Sequence, residues 1–68
     1  MVRYYRVFAC DIVRVRKDHS SDYYVPGRGW VRNDQYYLQI FYAGDGDPMT
    51  EAEAAAAIAE QEAELVAA

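Results

Sequence analysis

Apolar and polar positions alternate with a period of two from Val2 to Val15. Tyr5, Val7, Ala9, Val13 and Val15 would share one side of an extended segment. Tyr4, Arg6, Phe8, Cys10, Ile12, Arg14 and, just beyond it, Arg16 would share the other. Asp11 interrupts the first set. Fourteen extended residues would also reach about 46 Å, which is long for a chain of 68 residues. The pattern therefore predicts a bend or break near Cys10–Asp11, or an Asp11 carboxylate paired with an arginine on a neighbouring strand.

Lys17 to Asp22 is polar and reads as a loop. Tyr23-Tyr24-Val25 begins a short strand, Pro26-Gly27 suits the central positions of a type II turn, and Gly29-Trp30-Val31 leaves that turn as a strand. Asn33-Asp34 marks a further turn. The stretch Asp34 to Tyr42 is rich in strand formers. Read with period two, it places Tyr36, Leu38, Ile40 and Tyr42 on one face. Tyr37 and Phe41 take the other, with Gln35 and Gln39. A strand apolar on both faces belongs in the middle of a sheet.

Ala43-Gly44-Asp45-Gly46-Asp47-Pro48 ends the sheet, and a helix follows from Thr50 to Val66. Thr50 and Glu53 fit a capping box with Met49 stapled onto Ala54, while Asp47 as cap with Pro48 at the first helical position is the rival start. On a helical wheel Ala54, Ile58 and Leu65 fall together, and Glu53, Glu60 and Glu64 line the opposite side. Glu62 falls inside the apolar stripe. Its carboxylate should reach water at the stripe's end or meet an arginine of the sheet.

These elements predict an α+β fold: an antiparallel sheet of three or four strands in sequence order, then one C-terminal helix packed on one face (βββα). The expected organisation is a single domain over 1–68, with a sheet region at 1–43, a loop at 44–49 and a helix at 50–66. A chain this short has a small core, and small domains commonly add a staple. Cys10 is the only cysteine and His19 the only histidine, which excludes an internal disulfide and disfavours a zinc site. Self-association as a homodimer, or binding to a larger partner, is the staple left. The lone cysteine, the absence of a leader-like N-terminus and the lack of a long apolar run predict a cytoplasmic protein with no membrane contact.

The formal net charge of −4 conceals an uneven distribution. Seven basic and three acidic residues leave 1–32 at +4, whereas 33–68 carry eight acids and no base. Such asymmetry points to an interaction role unless the two halves neutralise each other in the fold.

Tyrosines recur as Tyr4-Tyr5, Tyr23-Tyr24 and Tyr36-Tyr37. Adjacent strand residues point to opposite faces, so each pair would send one ring to the core and one away from it. With a single helix covering one face, the other would carry Tyr4, Arg6, Phe8, Arg14, Tyr24, Trp30, Tyr37 and Phe41. Rigid aromatics beside arginine are what interface cores favour, although cross-strand ladders also stabilise open sheets. A second contact face would comprise Asp45, Asp47, Glu53, Glu60 and Glu64. Glutamates near a helix C-terminus oppose the helix dipole, so a basic partner surface would account for them.

No catalytic chemistry is legible. His19, Ser20 and Asp22 have the residue types of a hydrolase relay but crowd one loop, and Asp45-Gly46-Asp47 lacks the remaining ligands of a cation loop. Cys10 reads as a packing residue. No cofactor or metal is expected. The sequence thus predicts a small non-catalytic protein-binding module, an acidic inhibitor or adaptor of phage type acting on a nucleic-acid-handling protein. The alternative is single-stranded nucleic-acid binding through the aromatic and arginine face of the sheet. The acidic half works against that alternative.

Overall fold

A computed structural model describes residues 2–67. The elements are β1 (Arg3–Val7), β2 (Asp11–Val15), β3 (Ser21–Val25), β4 (Gly29–Arg32), α1 (Gln35–Phe41), β5 (Gly46–Met49) and α2 (Glu51–Ala67). The strands make one antiparallel sheet in the order β4-β3-β2-β1-β5. The fold is α+β as expected, with five strands and two helices where three or four strands and one helix were predicted.

The anticipated break in the first segment is a full reversal. Val7 pairs with Asp11, and Phe8 and Ala9 between them take left-handed backbone angles (φ 53° and 67°). Two groups hold the turn: Arg6 Nη1 donates to the Ala9 carbonyl at 3.4 Å, and Gln61 Nε2 of α2 donates to the Cys10 carbonyl at 2.8 Å. Cys10 is exposed at this turn instead of packing within a strand. Asp11 finds a tyrosine, not an arginine: the Tyr36 hydroxyl donates to its Oδ2 at 2.8 Å.

From β1 to β4 the chain meanders in sequence order. The β3–β4 reversal is the expected Pro26-Gly27 turn, closed by Arg28 N–H donating to the Val25 carbonyl at 2.9 Å. Gly27 has φ 84°, and a Cβ there would lie 2.9 Å from Leu65 Cδ2, so the end of α2 sits directly on the turn.

The largest correction concerns Asp34 to Tyr42, which is helix α1 and not a central strand. Read with period 3.6, Tyr36, Tyr37 and Ile40 share the face turned to the sheet, and Gln35, Leu38 and Gln39 turn outward. Gln35 and Gln39, four residues apart, mark that polar side. The Asn33 side chain accepts the Gln35 N–H at 3.1 Å at the start, and Gly44 (φ 73°) follows the helix. Ile40 seats over Gly46 of β5, where a Cβ would come within 2.8 Å of Ile40 Cγ1.

Residues 44–49 are likewise not merely a loop. Gly46–Met49 pairs with β1, opposing Val7 with Gly46 and Tyr4 with Met49. Pro48 lacks a backbone donor, which suits an edge strand, and the rival start of the final helix at Asp47-Pro48 is thereby excluded. The capping box is present: Thr50 N–H donates to Glu53 Oε1 at 2.8 Å, and Glu53 N–H donates to Thr50 Oγ1 at 3.0 Å.

The sheet is consequently covered on both faces. Tyr5, Val7, Val13 and Val15 meet Ile40 on the α1 side, with Tyr23, Tyr36 and Tyr37 packed around them. Ile12 meets Ala54 and Ala57 on the α2 side, with Tyr4, Tyr24, Trp30, Met49 and Ile58.

Because each face has its own small core, Ile40→Ala and Ile12→Ala should each cost about 2–5 kcal/mol in urea unfolding. An unchanged midpoint for Ile40→Ala would contradict the packing of α1. Burial, then the hydrogen bond to Asp11, pushes the Tyr36 phenol up to about 12. The sign follows: the folded state favours the neutral phenol. That contribution is complete below the ordinary value of 10.0 and fades as pH rises toward about 12. Ultraviolet absorbance titration should show a phenol titrating near pH 12 that Tyr36→Phe removes.

Candidate interaction site

The eight residues expected on one sheet face do not form one surface. Tyr4, Arg6, Arg14, Tyr24 and Trp30 do project to the α2 side, where each is half-buried. Trp30 is the hub: Tyr24 meets it edge-on at 5.3 Å, Tyr4 lies at 6.4 Å, and the Arg14 guanidinium stands 4.4 Å from its ring centre. Tyr37 and Phe41 belong to α1 on the opposite side, and Phe8 is exposed at the β1–β2 turn. Two helices, where one was expected, are the reason for this separation.

Glu62, the glutamate inside the apolar stripe, is satisfied by the sheet. It accepts the Tyr24 hydroxyl and, at 3.2 Å, the Gly27 N–H. The Tyr24 bond is the main reason that its carboxyl is held below the usual range, and the same bond raises the Tyr24 phenol. The expected arginine is replaced by a tyrosine and a turn amide.

Three arginines, Arg14, Arg16 and Arg32, are paired locally with two carboxylates. Asp22, with only 5% of its side chain exposed, accepts Arg14 Nε at 2.7 Å and also pairs with Arg16. Burial pushes this carboxyl up, but the hydrogen bonds from Arg14 and Arg16, with their charges, outweigh burial and leave it lowered. Arg32 forks onto Asp34 at 2.7 and 2.9 Å. Asp34 also accepts the Ser21 N–H, and its carboxyl falls to about 2.

The predicted relay residues are committed elsewhere. Ser20 Oγ donates to Asp18 at 2.6 Å, Asp22 holds the two arginines, and His19 stacks on Tyr37 at 4.6 Å with a 15° interplanar angle. Among the described residues no cluster of three or more His, Cys, Asp or Glu is placed to hold a metal ion, and no helix is long and apolar enough to cross a membrane.

The acidic set is brought together more fully. Asp47, Glu53 and Glu60 line a groove of about 410 Å³ between β5 and α2, with Arg6 as its one cation. Glu60 and Glu64 line the adjoining cleft near Cys10. Asp45 stands apart in the loop before β5, with its backbone N–H donated to the Gln39 carbonyl at 3.0 Å. All five carboxylates are exposed. Among the described residues, the ion pairs join Arg14 and Arg16 to Asp22, and Arg32 to Asp34; none involves α2. The charge of the final helix is therefore not cancelled by ion pairs with the sheet.

Sequence reasoning did not anticipate the cleft formed where Arg3, Arg16, Lys17 and His19 meet Tyr37 and Phe41 of α1. Its signal was the basic run Arg14-Val15-Arg16-Lys17, but reading α1 as a strand hid its aromatic wall.

No protein family, curated protein or solved structure matches the chain.

Acid should expose the paired carboxylates. A lowered carboxyl stabilises the fold above its unfolded value, and that stability disappears as pH falls through the folded value. With Asp34 moving from 3.8 to about 2, the loss falls within that interval, and Asp22 contributes in the same direction. Asp22→Asn should cost about 1–3 kcal/mol at neutral pH and much less near pH 2 in urea unfolding. An equal cost at both pH values would contradict the ionic role.

Proposed function

We propose that this protein is a non-catalytic binding module that docks through the acidic groove between β5 and α2 onto a basic surface of another protein. The observation that carries this reading is the set of Asp47, Glu53 and Glu60 around one groove with a single arginine and, among the described residues, no ion pair to relieve them. Glu64 extends the charge toward the helix C-terminus, where the dipole disfavours it. A partner's lysines or arginines would relieve both. Contact would run through side chains. Edge strand β5 has only four residues, and Pro48 interrupts its donors, so it is a poor template for an added strand.

A basic target surface of this kind is common to proteins that handle nucleic acids, which supports an inhibitor or adaptor acting on such a protein. The rival, nucleic acid stacked on an open sheet face, draws no support from Tyr4, Tyr24 and Trp30, because they pack with α2. A second copy is the remaining rival occupant.

Affinity capture from the native host at two salt concentrations tests the proposal. The captured partner should elute with salt, and Glu60→Lys/Glu64→Lys should reduce its capture at least tenfold, about 1.4 kcal/mol. Unchanged capture by that variant sinks the reading. Mass measured in solution is the companion readout: a dimer dispersed by the same substitutions would make the second copy the partner.

A further inference from the structure

The geometry points to a nucleotide-binding cleft on the opposite side of the sheet from the acidic groove, formed by the β1 start, the β2–β3 turn and α1. The cleft encloses about 280 Å³, and its lining combines three cations (Arg3, Arg16 and Lys17) with His19, Tyr37 and Phe41 and no carboxylate. The groove beside α2, by contrast, carries three carboxylates.

The cations are not equally free. Arg16 already binds Ser20 Oγ at 3.1 Å and Asp22, so it serves as a fixed wall. Arg3 and Lys17 form no ion pair among the described residues, and both are exposed. The nearest acid in sequence, Asp18, is engaged by the Ser20 N–H at 3.0 Å and the Ser20 hydroxyl at 2.6 Å. Helix α1 contributes no charge, and α2 lies beyond the sheet. The carboxylates of the acidic groove therefore lie on the other side of the sheet from this cleft.

The aromatic half is preorganised. His19 sits in the left-handed region (φ 72°), held by its N–H on the Arg16 carbonyl at 3.0 Å, while Arg16 N–H donates to the Ser20 carbonyl at 2.9 Å. This turn lays the imidazole flat on Tyr37, which in turn packs on Phe41 with ring centres 4.7 Å apart. His19 is exposed and presents the open end of this stack, whereas Phe41 is tilted 40° from Tyr37 and meets Tyr5 edge-on at 5.6 Å, so it closes the other side. An incoming flat ring extends such a stack without having to open it, and the free cations Arg3 and Lys17 alongside can receive a phosphate. A ligand that joins a base to a phosphate meets both requirements; a carboxylate-rich peptide meets only the second. The source is either a free nucleotide or a nucleotide within a single strand.

The test uses the full chain at low salt with three probes: uridine monophosphate followed by amide NMR shifts, fluorescein-labelled oligouridylate followed by anisotropy, and inorganic polyphosphate as a charge-only competitor. Lys17→Glu should weaken nucleotide binding at least tenfold. His19→Gly removes the ring while accepting the backbone angle, and should weaken it about tenfold, the loss of one base stack. Both positions are exposed turn residues, and circular dichroism verifies their folding. Shifts by the monophosphate at Lys17, His19 and Tyr37 assign the site to free nucleotides; response to the oligomer alone assigns it to a strand. Absence of binding to both overturns the proposal. So does polyphosphate binding as tightly as the oligomer with no effect of His19→Gly, which would define a plain cationic patch. Preferential binding of a polyglutamate peptide would overturn it as well. The acidic groove shares no residue with this cleft, so either site can fail without the other.

Discussion

The constraint on which the architecture depends is the route from β4 to β5. These strands lie at opposite edges of the sheet, with β3, β2 and β1 between them. Four strand spacings amount to about 19 Å, and the connecting chain has to cross one face to cover that distance. Crossing a face with polar backbone would leave apolar side chains of the sheet exposed. A short amphipathic helix solves both problems, since its backbone is internally bonded and its Tyr36, Tyr37 and Ile40 seal Val7, Val13 and Val15. Once β5 is docked on β1, the chain is released at Met49–Thr50, and α2 covers the other face. A meander of four strands becomes a sheet covered on both sides through one crossing.

That arrangement also sorts the charge. The uneven distribution along the sequence is not erased by folding, because Arg14, Arg16 and Arg32 are paired with Asp22 and Asp34 and not with the carboxylates of α2. What is left over separates by layer. Carboxylates predominate along β5 and α2, with Arg6 as the cation of their groove, and Arg3 and Lys17 remain beside the uncharged α1. On the proposed reading, a molecule with opposite charges on its two sides would act as an adaptor rather than as an acidic inhibitor. One side would address a basic protein, and the other the anion that such a protein handles.

Legibility in the sequence followed the range of the interactions. The final helix was readable because its determinants are local: a Thr50–Glu53 capping box and an apolar stripe of period 3.6. The break near Asp11 and the Pro26-Gly27 turn were readable for the same reason. Helix α1 was not. Its residues favour strands intrinsically, and only the edge-to-edge crossing imposes a helix on them. Gln35 and Gln39 gave no clue, because a spacing of four puts them on one side of a strand and of a helix alike. That single misreading also displaced the candidate site, since counting one helix left a sheet face apparently bare. The acidic set was legible because charge on an exposed helix stripe survives errors in the sheet.

The paired tyrosines show how a correct local argument led to a wrong surface. Tyr4-Tyr5 and Tyr23-Tyr24 do send one ring to each face, as alternation requires. The rings directed away from the α1 core are not left exposed; they form the aromatic half of a second core, against Trp30 and α2. Tyr36-Tyr37 behaves differently, since neighbours on a helix lie 100° apart and both can turn to the same side. Apolar character on both faces of a strand therefore counted the layers that had to cover it. In a chain this short those layers cost most of the sequence. The carboxylates beside α2 and the cations beside α1 are among the groups left over to recognise anything else.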